Sequence, residues 1–468
     1  MPRETAFQRC IDPACAATYG IRQILNKCPK CGALVDVAYD QDRLRLPKKL
    51  AGLGVAPKEL KGLAATSGVW RFHQLLPFAP PARLVSIGEG RTILAAGAPA
   101  AEYAGMKPGR LFLQYEGLNP SGSFKDNGMA GAFTHARMVG AKMACCASTG
   151  NTSASLAAFA AATGLMKAAV FVGSGKIAIG KLSQALDYGA LTYEIEGDFD
   201  DAMRRVVEVS AELGLYLVNS LNPFRLEGQK TIMYRVLEGL GWQVPDWIVC
   251  PAGNLGNTSS FGKAFQELYE LGLIKRKPRI ASINSTGADS FSVWWNNGRM
   301  RWNDHKFDRA LIDRRYAKLD SRELKTNTIA SAIEINRPVN LSKALRALHW
   351  TDGLVRAVSD EAILDAKAVV GLCGYGCEPA SAASLAGAKL LVEEGVIGRS
   401  ERVVCIVTGH HLKAPDVTVG YHSYTGEKFH HKFGEYGIRA ARLPNVPVRL
   451  PNDRAAIVAE LRRAGGNR

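Results

Sequence analysis

The chain has 468 residues, of which 47% are hydrophobic and 22% charged, so it is long enough for two globular domains with a large buried core. The formal net charge is +16, but no long block of lysine and arginine interleaved with aromatic residues occurs, which disfavours a nucleic-acid partner. Because we find neither an apolar leader segment nor an uncharged apolar stretch of membrane-spanning length, we expect a cytoplasmic protein without a membrane partner.

The first 40 residues carry four cysteines, Cys10, Cys15, Cys28 and Cys31, in the spacing C-x4-C-x12-C-x2-C. In a chain without secretory features, cysteines are more often metal ligands than members of a disulfide framework. Four thiolates at this spacing suit a tetrahedral zinc ion. We therefore predict a zinc-ribbon-like segment over residues 1–40. A degenerate ribbon with spare thiols is the alternative.

From about residue 85 onward, short apolar runs alternate with amphipathic stretches, which predicts an α/β fold with a mostly parallel sheet. The predicted strands lie at residues 111–117, 143–149, 168–174, 246–253, 280–286 and 403–409. The predicted intervening helices lie at residues 153–164, 198–214 and 262–272. Ligands bind at the carboxyl ends of parallel strands, so the loops that follow these strands are the candidate site. The basic tail, residues 421–468, could add a strand and a helix.

The stretch "LNPSGSFKDNGMAGAF", residues 118–133, places a lysine at the start of a helix. Ser123 and Asp126 have the spacing of a capping box, so the helix is expected to begin just after Ser123. Lys125 would then lie at the positive end of the helix dipole, an unfavourable position for an ammonium group. Such a conflict is typical of a functional lysine, although a surface lysine extending into solvent would fit equally well.

The loop after strand 143–147 combines hydroxyls and a helix N-terminus. Ser148, Thr149, Asn151 and Thr152 surround Gly150 there, immediately before a helix of small residues. Free backbone N–H groups together with hydroxyls favour a carboxylate ligand. An ordinary helix cap would need only one of these residues.

Two further loops complete the set. Strand 247–251 runs into a loop that favours a single phosphate, since it has permissive glycines and a helix N-terminus but lacks the lysine of a P-loop. Close packing is the alternative explanation for its glycines. The residues of this loop are Gly253, Asn254, Leu255, Gly256 and Asn257. Strand 403–407 ends at Thr408, whose hydroxyl could contact a ligand or simply terminate the strand.

One cofactor accounts for all four loops. Pyridoxal 5′-phosphate requires a reactive lysine, a phosphate site and a partner for its pyridine nitrogen. A desolvated lysine at a helix N-terminus has a lowered pKa, and its neutral amine can attack the cofactor's aldehyde.

The strings "EGLNPSGSFKDNGM", "ASTGNTSASLAA", "NSLNPFRLEGQKT", "PAGNLGN", "EPASAAS" and "TGHHLK" together resemble the threonine synthase family of fold-type II pyridoxal-phosphate enzymes, over about residues 85–415. The resemblance implies two domains with open, mostly parallel twisted sheets flanked by helices. It implies a large cofactor-binding domain over residues 41–105 and 236–420, a smaller mobile domain over 106–235, and a C-terminal extension over 421–468. A homodimer is also expected.

The resemblance further implies roles for individual residues. Lys125 would bind the aldehyde of the cofactor and later move protons. Around the cofactor, Asn151 would face its 3′ oxygen, Gly253, Asn254, Leu255, Gly256 and Asn257 would hold its phosphate, and Thr408 would meet its pyridine nitrogen. Around the substrate, Ser148, Thr149 and Thr152 would hold the carboxylate, and Ser220 and Arg225 would bind the phosphate. The implied reaction converts O-phospho-L-homoserine and water to L-threonine and phosphate.

Alternatives remain at this point. A cysteate-synthase-like enzyme would also favour a basic pocket, and a threonine or serine dehydratase would not need Ser220 and Arg225. Arg91 and His411 depart from residues usual in the family and bear on the choice of substrate. A zinc-ribbon nucleic-acid-binding protein with a degenerate enzyme body is a third option, which the retained lysine, asparagine and glycine loop disfavour.

Overall fold

The fold is taken from a computed structural model that describes residues 5–174, 179–197, 199–302, 309–320 and 326–465. The strands are β1 Ala6–Cys10, β2 Thr18–Gly20, β3 Val35–Tyr39, β4 Ile93–Ala96, β5 Leu111–Tyr115, β6 Met143–Ala147, β7 Lys167–Gly173, β8 Leu191–Ile195, β9 Tyr216–Leu217, β10 Trp247–Pro251, β11 Arg279–Ser285, β12 Leu354–Val358 and β13 Val403–Val407.

The helices are α1 Gly62–Thr66, α2 Ala98–Tyr103, α3 Lys125–Val139, α4 Asn151–Thr163, α5 Ile179–Asp187, α6 Phe199–Leu213, α7 Pro223–Gly239, α8 Gly256–Glu270, α9 Ser290–Asn296, α10 Arg309–Asp320, α11 Leu341–Trp350, α12 Asp360–Leu372, α13 Pro379–Glu393, α14 Pro415–Ser423, α15 Gly426–Phe433 and α16 Arg454–Gly465. Within the described ranges, none of these helices combines the length and apolar character needed to cross a membrane.

Two parallel sheets form the body, as the alternating pattern predicts. The larger has six strands in the order β12-β11-β10-β13-β5-β4, of which only β4 runs antiparallel to its neighbour. The smaller has four parallel strands in the order β8-β7-β6-β9. The central strands β10 and β13 are buried along their whole length, which explains their nearly continuous apolar sequences.

The pairing of β5 differs from the sequence-based assignment. Residues 106–235 were expected to form the smaller domain, but β5 lies within the six-stranded sheet, where it pairs with β13 from Val403↔Leu111 to Val407↔Tyr115. The apolar run alone could not show which sheet would accept the strand, because the central strands of both sheets are buried and parallel. The other domain boundaries stay a prediction.

A small antiparallel sheet, β2-β1-β3, makes up the N-terminal ribbon, defined here as residues 5–40. Lysines on two helices of the enzyme body hold its strand β3 in place. Lys343 of α11 donates to the Val35 carbonyl at 2.7 Å, and Lys263 of α8 donates to the Val37 carbonyl at 2.5 Å. Lys343 also pairs with Asp36 at 2.9 Å. The edge of β3 is thus covered rather than left open to solvent.

The C-terminal tail is helical where a strand was considered. The described part of residues 421–468 contains the end of α14, then α15 and α16, and no strand. Phe429 and Phe433 of α15 are buried against Tyr421 in a small separate core. Helix α16 buries none of its residues in this chain.

Candidate active site

The loops that follow β5 and β13 are joined by their backbones. Phe124 N donates to the Thr408 carbonyl at 2.9 Å, and His410 N donates to the Gly122 carbonyl at 2.9 Å. This pairing puts the lysine loop and the threonine loop side by side at the carboxyl edge of the larger sheet, where parallel sheets bind their ligands.

Helix α3 begins at Lys125, but without the predicted capping box. Its N-cap is Phe124, which makes no side-chain cap bond, and the Ser123 hydroxyl is buried with no hydrogen-bond partner in the described structure. The Asp126 carboxylate instead accepts hydrogen bonds from the Ser121 backbone N at 2.7 Å and from the Ser155 hydroxyl at 2.5 Å. The capping prediction was wrong because Asp126 accepts from Ser121 of the preceding turn and from Ser155 of α4 instead of from the helix's own N-terminus.

Lys125 is partly buried and lies over the Phe124 ring, with Nζ 4.6 Å from the ring centroid. Desolvation, and after it the positive charge of Arg225, lowers the pKa of Lys125 from its ordinary 10.5 to about 7. A large fraction of the amine is therefore neutral near physiological pH, which is the form that attacks an aldehyde.

Arg225 lies at the start of α7, where Asn222 caps the helix by accepting from the Phe224 and Arg225 backbone N–H groups. It is 1% exposed, and its Nη1 donates to the Val218 carbonyl at 2.7 Å. Its Nε is buried without a hydrogen-bond partner among the described residues, and desolvation lowers its pKa to about 10. A buried guanidinium with unused donors is typical of an anion site.

Glycines bring α7 close to α3. A Cβ on Gly131 would lie 2.3 Å from the Phe224 carbonyl oxygen, and a Cβ on Gly228 would lie 1.9 Å from the Asn127 carbonyl oxygen. Both distances are too short for any other residue, so the helix of Lys125 and the helix of Arg225 pack backbone against backbone.

The predicted phosphate loop connects β10 to α8. Leu255 has a positive φ of 61°, and α8 follows with 15 residues, so the first backbone N–H groups of a long helix are free for a ligand. On the other side, Gln229 of α7 donates to the Asn257 side chain at 2.8 Å, and Asn340 donates to the Asn254 carbonyl at 3.2 Å. The loop is thus held by α7 and by the residue preceding α11.

The predicted carboxylate loop precedes α4. Ser148 and Thr149 are partly exposed, Thr152 is buried, and the Ser148 hydroxyl accepts from Gly150 N at 3.1 Å. Asn151, the first residue of α4, donates its side-chain N–H to the Glu378 carboxylate at 2.7 Å. This bond joins the smaller sheet's helices to the larger sheet.

Thr408 is 5% exposed, and its hydroxyl is 2.8 Å from the Ser381 hydroxyl. Ser381 also accepts from Gly409 N at 2.9 Å, so it fixes the end of β13. Ser220 is buried in the loop before α7, with its carbonyl accepting from Asn340 at 2.9 Å.

The structure brings Lys125, Arg225, Asn151 and Thr408 to one edge, through charge interaction, packing and hydrogen bonds. It does not join Ser148, Thr149 or Ser220 to Lys125 by any described hydrogen bond.

Sequence reasoning missed three supporting residues, Gln229, Glu378 and Ser381. Glu378 and Ser381 lie in the quoted string "EPASAAS", where an acidic residue immediately before a proline-initiated helix was the available signal.

Arg91 and His411 are two of the residues that depart from the family pattern. Arg91 is exposed and donates to Thr66, beside a cleft of about 380 Å³ that Gly68 and Gly90 also line. His411 lies 4.3 Å from the ring of His410, and its Nδ1 is buried without a partner among the described residues.

The four cysteines of the ribbon meet at one point. The Sγ atoms of Cys10, Cys15, Cys28 and Cys31 all lie within 4.8 Å of one another, with Cys10 and Cys31 at 3.4 Å and Cys15 and Cys28 at 3.8 Å. A tetrahedral zinc ion with Zn–S bonds of about 2.3 Å separates its sulfurs by about 3.8 Å, so the cluster has the dimensions of a zinc site.

Comparison with known proteins agrees with this geometry. The family model described as pyridoxal-phosphate dependent enzyme matches residues 85–409. Threonine synthase from Methanocaldococcus jannaschii is 40% identical over 88% of this chain and 94% of that enzyme. The chain belongs to the pyridoxal-phosphate dependent enzymes, within the threonine synthases.

Two further relatives extend the comparison. Threonine synthase 2, chloroplastic, from Arabidopsis thaliana is 33% identical over 94% of this chain and 81% of that enzyme. The crystal structure of threonine synthase from Escherichia coli has a TM-score of 0.62, with 15% identity, and covers 98% of this chain and all of that one. The last likeness concerns the fold, and it extends beyond the matched enzyme body to nearly the whole chain.

The residues at the carboxyl edge fit the cofactor. The unpartnered Ser123 hydroxyl, the Lys125 amine of lowered pKa, and the glycine loop before α8 supply the donors, the nucleophile and the phosphate cradle that pyridoxal phosphate needs.

Proposed function

We propose that this chain converts O-phospho-L-homoserine and water to L-threonine and phosphate, as a pyridoxal-phosphate-dependent lyase. The observation that carries the proposal is the close packing of α3 on α7, which sets the Lys125 amine against the Arg225 guanidinium, while Gln229 of α7 bonds the glycine loop through Asn257. A cofactor that binds an amine explains the role of Lys125. The phosphate of that cofactor explains the glycine loop. A second phosphate, that of the substrate, accounts for Arg225.

Pyridoxal phosphate, when bound, supplies an aldehyde for amines and a ring that accepts negative charge. Side chains of the protein would carry out the remaining steps. The Lys125 amine, neutral above about pH 7, would accept a proton from the substrate Cα and return protons later. Ser148, Thr149 and Thr152, at the N-terminus of α4, would hold the substrate carboxylate.

The leaving phosphate would be held by Arg225, with Ser220 beside it. A guanidinium can donate two parallel hydrogen bonds to a phosphate, and a desolvated one forms stronger bonds than one in water. Around the cofactor, Asn151 would face the 3′ oxygen and Thr408 the pyridine nitrogen. The loop of Gly253, Asn254, Leu255, Gly256 and Asn257 would hold the cofactor phosphate.

The test measures phosphate and amino-acid products after the purified, cofactor-loaded protein is mixed with O-phospho-L-homoserine. We expect one threonine per phosphate, and loss of at least about a thousandfold in Lys125→Ala. Lys142→Ala, at an exposed position, is the control and should keep full activity. Turnover of O-phospho-L-serine with sulfite, or 2-oxobutanoate formed from threonine, would instead favour the cysteate-synthase-like or the dehydratase alternative.

We further propose that Cys10, Cys15, Cys28 and Cys31 hold one structural zinc ion. Gly32, with φ of 73°, lets the chain turn so that its N–H bonds the Cys28 carbonyl at 2.7 Å, the geometry of a metal knuckle. Metal analysis should give about one zinc per chain and much less in Cys28→Ser. Cys373→Ser, at a partly buried cysteine far from the cluster, should keep its zinc. A homodimer and a cytoplasmic location stay predictions from the sequence.

A further inference from the structure

Glu378 lies between the two sheets at the candidate site. It is 2% exposed and forms the N-cap of α13, where the helix dipole favours a carboxylate. Its backbone N donates to the Gly409 carbonyl at 3.1 Å, which ties it to the loop that carries Thr408.

The Glu378 carboxylate has little freedom to move. A Cβ on Gly409 would lie 2.4 Å from its Oε1, so only a glycine at that position leaves room for the carboxylate. The same Oε1 accepts the hydrogen bond from Asn151 Nδ2 at 2.7 Å. The side chain is therefore held between the end of β13 and the start of α4.

This bond decides which way the Asn151 amide is turned. An ionised carboxylate only accepts hydrogen bonds, so the amide nitrogen, and not the amide oxygen, must face Glu378. The second N–H of that nitrogen has no other hydrogen bond among the described residues. It is therefore available to an acceptor placed in the site, such as the 3′ oxygen assigned to Asn151 above.

We propose that Glu378 is a positioning residue that acts through Asn151, fixing the amide so that it donates to the bound cofactor. The inference rests on the proposed function for the identity of the cofactor. It adds a residue with no assigned role and gives a physical reason for the glycine at position 409.

The experiment measures the dissociation constant of pyridoxal 5′-phosphate from the full-length protein, without substrate, by titrating the metal-replete apoprotein and following absorbance. Glu378→Met fills a similar volume but accepts no hydrogen bond, so we expect affinity to fall about tenfold. Glu378→Gln can still present an oxygen to Asn151, so its affinity should stay within about threefold of the wild type. Glu393→Ala, an exposed position on the same helix, is the control and should leave affinity unchanged.

A double-mutant cycle covers the case in which Glu378→Met does not fold. Gly409→Ala displaces the Glu378 carboxylate without removing it, so cofactor affinity should fall about fivefold in the wild type but less than about twofold in a chain that already carries Asn151→Ala. An equal loss in both backgrounds, or equal affinity in Glu378→Met and the wild type, would overturn the inference. If the affinities behave as expected but no threonine forms, the proposed function fails and the positioning role of Glu378 stands.

Discussion

We expect Lys125 to destabilise the cofactor-free protein at neutral and lower pH. Its pKa is lowered in the folded state, first by desolvation and then by Arg225, so folding disfavours its charged form. Lys125→Met should therefore raise the free energy of unfolding of the apoprotein, on the order of 3 kcal/mol below pH 7, somewhat less than the full linkage value because the side chain is partly exposed. The measurement is urea denaturation of both apoproteins across pH.

The stability gained by Lys125→Met should depend on pH. Between about pH 7 and 10.5 the unfolded lysine binds a proton that the folded one does not, so the stability of the wild type rises with pH and the advantage of Lys125→Met shrinks. Lys142→Met, at an exposed lysine, should show no such trend. A Lys125→Met advantage that is constant from pH 6 to 10 would contradict a lowered pKa.

The residue scale also shows where sequence reasoning stops. The position of Lys125 at a helix N-terminus follows from turn residues and spacing, and the helix begins there. The distant partner of Asp126 could not be predicted, because Ser155, unlike Ser121, is 29 residues away and reaches the carboxylate only through the packing of α4. The same holds for Glu378 and Asn151, which are 227 residues apart.

Strand β3 should depend on one buried carboxylate for its attachment. Asp36 pairs with Lys343 and Arg346 of α11, and Lys343 is almost fully buried. Asp36→Asn would leave that ammonium with only the Val35 carbonyl and the amide, so we expect a loss of about 3 kcal/mol in unfolding free energy. Asp416→Asn, which removes the exposed partner of Lys432, is the matched control and should change stability by less than about 0.5 kcal/mol.

Acid should reduce this difference. Burial raises the pKa of Asp36, but Arg346 and Lys343 more than offset it, so the pKa lies well below its ordinary value. The stabilisation is fully present above the unfolded pKa of about 4 and is lost progressively as pH falls from there towards the much lower pKa of the folded state. Denaturation curves at pH 7 and pH 3 should therefore show a smaller gap at pH 3. An unchanged gap would mean that the loss comes from packing rather than charge.

At the scale of elements, apolar patterning located strands better than it assigned them to sheets. The strands at 143–147, 247–251 and 403–407 lie within the apolar runs 143–149, 246–253 and 403–409 that predicted them. The pattern could not place β5, because both sheets contain buried apolar strands that are followed by helices. It also left the tail open, since the packing of Phe429 and Phe433 on Tyr421 decides that segment.

At the scale of the molecule, the N-terminal ribbon contacts three of the helices that begin at the site, α3, α7 and α8. His135 of α3 donates to the Ile21 carbonyl at 2.8 Å, and Tyr39 donates to Glu227 of α7 at 2.6 Å. Lys263 of α8 bonds both Glu227 and the Val37 carbonyl. The helices that carry Lys125, Arg225 and the glycine loop therefore share one support, and its fold is small enough for the proposed zinc ion to contribute to its stability.

Removal of zinc should therefore weaken cofactor binding as well as the ribbon. We expect the dissociation constant of pyridoxal 5′-phosphate to rise at least about fivefold in metal-free protein, because α3, α7 and α8 lose a fixed contact, and to recover when zinc is added. Binding would be followed by absorbance titration before and after treatment with a chelator, with Cys28→Ser as the variant that zinc cannot rescue. Cys373→Ser should respond like the wild type. If the metal-free protein binds the cofactor as tightly as the zinc-loaded form, the ribbon would cover the helices without fixing their positions at the site.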